Sequence, residues 1–219
     1  LGKRIAKLKA QMKELQLIEI QLNESSDKPL SLNDPDARSM MTRGTGIVGY
    51  NVLTAVDTKR HLIVAQEVTN VGSDRDQLSS MAKQAREAMG SEKLSVVADR
   101  GYFKSEEILA CYDADIIAYV PKPMTWAAKA EGRVRRWEYE AVLEEMQRRL
   151  NGAPEMMRIR KRTVEHPFGT LKQWMGASHF LTRKLDGVSV EMSLNVLAYN
   201  LKRVMKIMGT VSLKEALTA

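Results

Sequence analysis

Two β-rich stretches joined by a short polar connection constrain the fold of this chain more than any other feature. Residues 46–56 and 61–69 are rich in Val, Ile and Thr, and the polar residues 57–60 lie between them. This pattern predicts a β-hairpin. Segments with helical and strand character alternate after the hairpin, and that order favours an α/β fold in which a mixed sheet is covered by helices.

The other elements are predicted from hydrophobic periodicity and from residues that start or stop helices. Helices are expected over residues 74–89, 105–112, 138–150 and 188–208, a mostly helical segment over 154–175, and buried strands over 94–98 and 116–120. The alternating residues 30–33 are a candidate first strand, whereas residues 35–45 have loop composition. Pro167 predicts a kink, or a helix that restarts with the proline in its first turn.

Two predicted helices carry long apolar stripes. The stripe of the last helix is formed by Val190, Leu194, Leu197, Leu201, Val204 and Met208. The first helix has a heptad-like seam, interrupted at Glu19, that consists of Ile5, Leu8, Met12, Leu15 and Leu22. This seam fits either a coiled-coil arm, which would support a homodimer, or a helix that packs on its own domain. We expect an arm at 1–23, a linker at 24–29, one main domain over 30–208 and a tail at 209–219.

Composition narrows the range of partners. The 34 Lys and Arg residues outnumber the 27 Asp and Glu residues, and the resulting net charge of +7 favours a polyanion such as nucleic acid. Aromatic residues make up only 5%, so a base-stacking platform for single strands is not expected. The single cysteine, Cys111, excludes a disulfide framework, and no apolar run is long enough to span a bilayer. We expect a cytoplasmic protein with no membrane partner.

An acidic residue directly follows the predicted strand over 94–98. Asp99 stands there, and Gly101 allows the chain to turn sharply behind it. Acids at the carboxyl ends of strands in α/β sheets face the crevice where ligands bind, although an Asp-x-Gly sequence also forms ordinary turns. Asp99 is therefore a candidate catalytic residue.

Glu165 is a second candidate, because it lies among basic residues on a predicted helix. Lys172 would lie two helical turns away on the same face, and Arg158, Lys161 and Arg162 would extend that face in the other direction. A carboxylate ringed by cations could hold a divalent metal beside phosphates, whereas a charge run of this kind is more often a solvated helix face. The three histidines show no metal-ligand spacing.

These residues, taken in order, resemble the DDE transposases of bacterial insertion sequences. The resemblance begins with residues 99–102 after a strand and with Glu165 followed by Lys172. It continues through residues 31–38, 49–52, 55–57, 68–74, 119–123 and 197–201. The order and spacing of these motifs together are specific, and they cover almost everything from Leu30 onward.

The resemblance implies an RNase H-like catalytic domain over residues 30–208 that cleaves double-stranded DNA at transposon ends and joins it to a target. Members of that family are similar in holding divalent metals with three carboxylates, so the implied cofactor is Mg²⁺ or Mn²⁺. The implied catalytic and metal-binding residues are Asp34, Asp99 and Glu165. The implied DNA-binding residues are Arg100, Tyr102, Arg158, Arg162 and Lys172.

The first of the three carboxylates has a rival. By the resemblance it ends the strand before the hairpin, which favours Asp34. Asp57 also follows a strong strand, but it leaves only one strand before the first helix of the domain. Asp36 is a neighbouring candidate that is displaced past Pro35.

The chain also departs from the family pattern. A short basic stretch lies between Pro123 and Trp137, where relatives often carry a longer, Cys-containing insert. Arg158 and Lys161 replace a tyrosine and an arginine of the family, and no initiator Met is present. We therefore expect a truncated or internally deleted copy, for which the alternative function is a non-catalytic remnant that binds DNA or a partner protein.

Overall fold

Three strand pairs form the β-structure within the part of the chain that the structure describes. A computed structural model describes residues 2–24, 31, 33–42, 45–123 and 140–218. Strand β1 (Arg38–Thr42) pairs antiparallel with β2 (Thr45–Gly49), β3 (Asn51–Val56) antiparallel with β4 (Ile63–Thr69), and β5 (Leu94–Val97) parallel with β6 (Ile116–Tyr119). The α/β class is confirmed. A single mixed sheet is not formed among these residues, because β3 and β5 border a cavity instead of pairing.

Helices account for most of the other described residues. They are α1 (Gly2–Glu24), α2 (Leu78–Met89), α3 (Ser105–Tyr112), α4 (residues 140–152), α5 (Glu155–Gly169), α6 (Leu185–Met208) and α7 (Thr210–Thr218). A 3₁₀ turn follows β5 at Arg100–Tyr102, and a π-helical turn follows α5 at Thr170–Trp174. The predicted helices are confirmed, and α7 lies in the predicted tail. None of the helices described is both long and apolar enough to cross a membrane.

The predicted hairpin is confirmed as β3 and β4, but an earlier hairpin, β1 and β2, was not predicted. The loop prediction for residues 35–45 is therefore wrong where β1 and β2 pair. The sequence signal is weak there because Gly46 and Gly49 lower the β-propensity, and because Ile47 and Val48 are both exposed instead of alternating between core and solvent.

The candidate first strand over residues 30–33 is not seen at the positions that are described. Ser31 and Asn33 lie outside any strand, whereas Leu30 and Leu32 lie outside the described residues. Two hairpins, rather than one, thus follow Asp34 along the chain.

Two hydrophobic cores hold the strand pairs and helices together. The first lies among β5, β6, α2, α3 and α4, and it consists of Leu78, Ala82, Ile108, Cys111, Ile116, Ala118, Val120, Leu143 and Met146. The second lies among β4, α6 and the π-helical turn, and it consists of Ile63, Val68, Leu171, Val188, Met192 and Tyr199. Burial raises the pKa of the Cys111 thiol to about 11, so this side chain is an unreactive core residue at neutral pH.

Polar side chains attach α6 to the turn between β3 and β4. Asn200 Oδ1 accepts a hydrogen bond from the Ile63 N–H at 2.9 Å, and Asn200 Nδ2 donates one to the Ile63 carbonyl at 2.8 Å. The Tyr199 hydroxyl donates to the His61 carbonyl at 2.6 Å. Backbone groups at this end of the hairpin thus find their partners on the helix, as buried backbone groups require.

The apolar stripe of α6 faces solvent. Its exposed members are Val190, Leu194, Leu197, Leu201 and Met208, which are 46–63% exposed. The buried face carries Val188, Met192 and Tyr199 instead. The hydrogen bonds of Tyr199 and Asn200 explain this orientation, because both side chains have to face the turn.

Helix α1 also leaves its seam exposed, at Ile5, Leu8, Met12 and Leu15. Each side chain of α1 that the structure describes is exposed. Of the two alternatives for this helix, packing of the seam on its own domain is therefore not observed at these positions.

Pro167 lies inside α5 and is buried there, so the predicted restart of the helix at this residue is wrong. Proline cannot donate the helical hydrogen bond at this position, and its ring is packed in the interior. Three residues after the proline, the helix widens into the π-helical turn, in which the Met175 N–H donates to the Thr170 carbonyl at 3.0 Å.

We predict that Asn200→Ala lowers the free energy of unfolding by about 2–3 kcal/mol. The substitution leaves the N–H and the carbonyl of buried Ile63 without partners, and each unsatisfied group costs about 1–3 kcal/mol. Urea unfolding followed by circular dichroism measures the change. Asn195→Ala is the matched control, because Asn195 is half-buried on the same helix and makes no side-chain hydrogen bond to the described residues. Equal losses in the two variants would contradict the role of Asn200.

Candidate functional site

Asp99 caps the 3₁₀ turn at the carboxyl end of β5. Its Oδ1 accepts a hydrogen bond from the Gly101 N–H at 2.9 Å. Its Oδ2 accepts one from Arg160 Nη2 at 2.7 Å, so Asp99 forms an ion pair with helix α5. Asp99 also lines the cavity between β3 and β5. The residue therefore lies where the sequence places it, at the end of a strand and facing a crevice.

A second carboxylate, that of Asp74, lies beside Asp99. A Cβ added to Gly101 would lie 3.0 Å from Asp99 Oδ1 and 3.9 Å from Asp74 Oδ2. The other oxygen of Asp74 accepts a hydrogen bond at 2.5 Å from Asn51 Nδ2, at the start of β3. The two carboxylates thus face the same small volume, which stays open because residue 101 has no side chain.

The Tyr102 phenol shares the field of these two acids. Burial raises the pKa of Tyr102 well above its ordinary value, the Asp74 and Asp99 carboxylates raise it further, and Arg160 opposes them. The phenol therefore stays protonated at neutral pH and keeps a proton to donate. Tyr102 packs against the first core.

Asp34 and Asp36 lie at the N-terminus of α6. Asp34 accepts a hydrogen bond from the Tyr50 hydroxyl at 2.8 Å and approaches the Lys184 N–H at 3.2 Å. Asp36 Oδ2 accepts one from the Leu185 N–H at 3.0 Å. Carboxylates at this position satisfy N–H groups that have no partner within the helix, and they interact favourably with its dipole. The contacts of Asp34 are thus with α6 and Tyr50, not with Asp99.

Asp57, the rival first carboxylate, closes the turn between β3 and β4. Its side chain accepts hydrogen bonds from the Lys59 N–H at 3.3 Å and from the Arg60 N–H at 2.7 Å. Aspartate commonly stabilises turns in this way. Its carboxylate therefore has a structural role in this turn.

Glu165 is exposed on α5. Arg160, Thr163, Val164 and Phe168 of the same helix line the cavity, whereas Glu165 does not. Of the three predicted acids, the structure thus places one, Asp99, on the cavity. Among the described residues, no three Asp, Glu, His or Cys side chains lie close enough together to hold one metal ion.

The basic residues expected to contact DNA lie mostly on the surface of α5 and after it. Arg158 and Arg162 line an open depression of about 370 Å³ together with Glu155 and Ile159. Lys172 is exposed, and its Nζ lies 5.9 Å from the centre of the Phe168 ring. Arg100 is exposed next to Asp99. A polyanion could therefore reach these cations, whereas Tyr102 is half-buried.

The chemistry of Asp74 and Asp99 fits a hard divalent ion in part. Mg²⁺ is commonly held by one or two carboxylates, with waters and substrate phosphates as its other ligands. Asn51 engages one oxygen of Asp74, and the other oxygen, which faces Gly101, is suited to an ion. Both oxygens of Asp99 accept hydrogen bonds, so an ion would share Asp99 Oδ1 with the Gly101 N–H. The full set of three acids is not assembled in this structure.

Sequence reasoning did not single out Asp74, Asn51 or Arg160. The first two lie in stretches 68–74 and 49–52, which carry the family resemblance, so that signal could have found them. Arg160 is one of several arginines on α5, and only the packing of the helix against the cavity distinguishes it.

A comparison with known protein families gives a match that covers most of the chain. The family described as "Transposase DDE domain" matches residues 19–201. The matched range contains all three strand pairs and both cavity carboxylates. Searches of curated proteins and of solved structures gave no significant match.

We predict that Gly101→Ala lowers the free energy of unfolding by about 1–2 kcal/mol, as moderate overpacking does. Gly101 has no left-handed conformation, so the effect comes from the methyl group, which has to push Asp99 Oδ1 aside. The helical Gly169 is the matched control, because an added Cβ there meets no atom within 4 Å. Gly169→Ala should be neutral or stabilising by up to about 1 kcal/mol. If urea unfolding finds the same change in both variants, Asp99 is not as close to Gly101 as described.

Proposed function

Because the chain belongs to the DDE transposase family, we propose that it catalyses metal-dependent cleavage and strand transfer of double-stranded DNA in the cytoplasm. The family acts in DNA transposition and recombination. The observation that carries the proposal is the pair of carboxylates, Asp74 and Asp99, that face one volume at the carboxyl end of β5. This is the edge of an α/β fold at which ligands bind.

We propose Asp34, Asp99 and Glu165 as the catalytic acids that hold Mg²⁺ or Mn²⁺. Such ions, when bound, activate the attacking oxygen and stabilise the leaving oxygen of an in-line phosphoryl displacement. Since Asp34 caps α6 and Glu165 faces solvent, the active arrangement requires both to approach Asp99. Asp74 already lies beside Asp99, so it is the nearest carboxylate that could take the place of Asp34 or Glu165.

Neighbouring side chains prepare the two cavity carboxylates for this role. Arg160 holds one oxygen of Asp99, and Asn51 holds one oxygen of Asp74. Both carboxylates are thereby oriented with their other oxygen toward Gly101. Preorganisation of this kind reduces the cost of assembling a catalytic site.

We propose Arg100, Tyr102, Arg158, Arg162 and Lys172 as DNA-contacting residues. The exposed cations among them and the net charge of +7 support contacts to phosphates. The exposed seam of α1 supports a homodimer formed through this arm.

A second candidate function is a remnant that binds DNA or a partner protein without cutting DNA. The observation that favours it is that the three predicted acids are separated in the described residues. The same surface cations would serve both functions, so an assay of cleavage distinguishes them.

We predict Mg²⁺-dependent nicking of supercoiled plasmid by the full chain. Asp34→Asn, Asp99→Asn and Glu165→Gln should each lower the rate by roughly 100-fold or more, since losing even an outer-shell partner of a metal ligand costs about 10–100-fold. Asp57→Asn is the matched control, because it removes the same charge outside the proposed set of three acids, and the asparagine Oδ1 can still accept one of the two hydrogen bonds of the turn. Activity lost in Asp74→Asn but kept in Asp34→Asn would replace Asp34 by Asp74. DNA binding without any nicking would favour the remnant.

We also predict a change in the salt dependence of DNA binding. Each of Arg158→Ala, Arg162→Ala and Lys172→Ala should lower the slope of log K against log salt concentration by about 0.9 for every phosphate contact that is lost. Fluorescence anisotropy with a duplex oligonucleotide at several salt concentrations measures the slope. Lys59→Ala, an exposed cation in the β3–β4 turn, serves as the control. Slopes unchanged in all three variants would show that DNA binds elsewhere.

A further inference from the structure

The exposed stripe of α6 and the exposed seam of α1 have the same spacing. The stripe runs from Val190 to Met208 at alternating intervals of four and three residues, with the half-buried Val204 as its fifth member. The four seam residues of α1 that are described, Ile5 to Leu15, are 47–62% exposed and recur at the same intervals. Helices that pack side by side along their length have this spacing. Each stripe is therefore suited to pairing with another helix.

The charged residues of the two helices are segregated in opposite senses. In α1, residues 2–13 contain five basic residues and no acidic one, and residues 14–24 contain three acidic residues and no basic one. In α6, residues 185–196 contain two acidic residues and no basic one, and residues 197–208 contain three basic residues and no acidic one. A parallel pair of α1 and α6 thus places opposite charges side by side in both halves. An antiparallel pair places like charges together, which is unfavourable.

The connection after α1 is too short for one chain to pair its own α1 and α6 in this way. Ser31 lies near the start of α6, because its Oγ accepts a hydrogen bond from the Asp34 N–H at 3.2 Å and Asp34 approaches the Lys184 N–H. The seven residue steps from Glu24 to Ser31 span at most about 25 Å. The 24 residues of α6 are about 36 Å long. The end of α1 therefore cannot reach the far end of its own α6.

Pairing of like helices is less favourable than pairing of α1 with α6. Two antiparallel α1 helices whose seams overlap fully would place Glu19 opposite Leu8, and a carboxylate buried against an apolar side chain is costly. Parallel docking on α6 instead places Glu19 beside the half of α6 in which Lys202 and Lys206 are exposed. Only a contact between α1 and α6 covers both apolar surfaces at once.

We propose that α1 of one copy docks in parallel on α6 of a second copy, and that the exchange is mutual. The chain then forms a dimer with two identical α1–α6 contacts, and an exchange of identical elements between two copies closes with twofold symmetry. The proposal rests on the homodimer proposed above and names the surface that its arm contacts. Because it requires neither metal nor DNA, its test is separate from the assay of nicking.

Sedimentation equilibrium of the full chain tests the two surfaces. Leu8→Asp in α1 and Leu197→Asp in α6 should each raise the dissociation constant of the dimer by about 100-fold or more, because a buried leucine is lost from both contacts. Both leucines are exposed in a single copy, so the circular dichroism of each variant should be unchanged. Val71→Asp is the matched control, because Val71 is exposed in the loop after β4. An unchanged chain that is monomeric, or a dimer that Leu197→Asp leaves intact, would overturn the proposal.

Spin labels on one copy test the direction of the contact. Ala6→Cys and Gln16→Cys lie beside the seam, one in each half of α1, and the native Cys111 is buried and does not compete for the label. Each spin-labelled variant is mixed with an isotopically labelled, unchanged chain, so that only contacts between copies broaden the amide signals. We expect the label at position 6 to broaden signals of residues 185–196 and the label at position 16 to broaden those of residues 197–208. The reverse order, or broadening confined to α1, would overturn the proposal.

Discussion

The end of the β3–β4 hairpin depends on α6 for its hydrogen bonds, and the arrangement of the second core follows from this dependence. Asn200 pairs with both backbone groups of Ile63, as a neighbouring strand would. Tyr199 holds the carbonyl of His61, a residue with a φ of 56°. That left-handed conformation costs a non-glycine residue roughly 1–2 kcal/mol, so contacts from elsewhere have to stabilise it. Helix α6 supplies them, and its Val188 is thereby placed against the sheet.

This dependence also shows what the sequence could predict and what it could not. Periodicity located the end of α6 and placed its start within three residues, and the Val- and Ile-rich runs located β3, β4, β5 and β6. Periodicity did not reveal which face of α6 is buried. The most regular apolar stripe, through Leu194 and Leu197, is exposed, because the hydrogen bonds of Asn200 set the rotation of the helix. Hydrophobic periodicity identifies a helix, but a few hydrogen bonds to backbone groups can decide which face of the helix is buried.

The same limit applies to the candidate site. The sequence identified Asp99 because a glycine and a strand surround it, and both signals are local. The neighbourhood of Asp74 and Asp99 is not local, since α2 and β5 separate the two residues along the chain. Asp34 presents a different difficulty, because its carboxylate is suited both to capping α6 and to binding a metal ion. Its oxygens accept hydrogen bonds from the Tyr50 hydroxyl and from the Lys184 N–H at the start of α6. An oxygen that moved to coordinate a metal ion would lose these hydrogen bonds. Assembly of the three acids would thus loosen the attachment of α6.

Each of the two cores belongs to a different strand pair, and both cavity carboxylates flank elements of the first core, since Asp74 precedes α2 and Asp99 follows β5. The first core holds β5 and β6, and the second holds β4 with α6. At the mouth of the cavity, polar contacts join the halves: Asn51 of β3 bonds to Asp74, and Arg160 of α5 bonds to Asp99. Behind these contacts, the facing edges of β3 and β5 are unpaired within the described part of the chain. The contacts of Asn51 and Arg160 therefore hold both acids against the second half of the fold, and they orient the carboxylates at the mouth of the cavity.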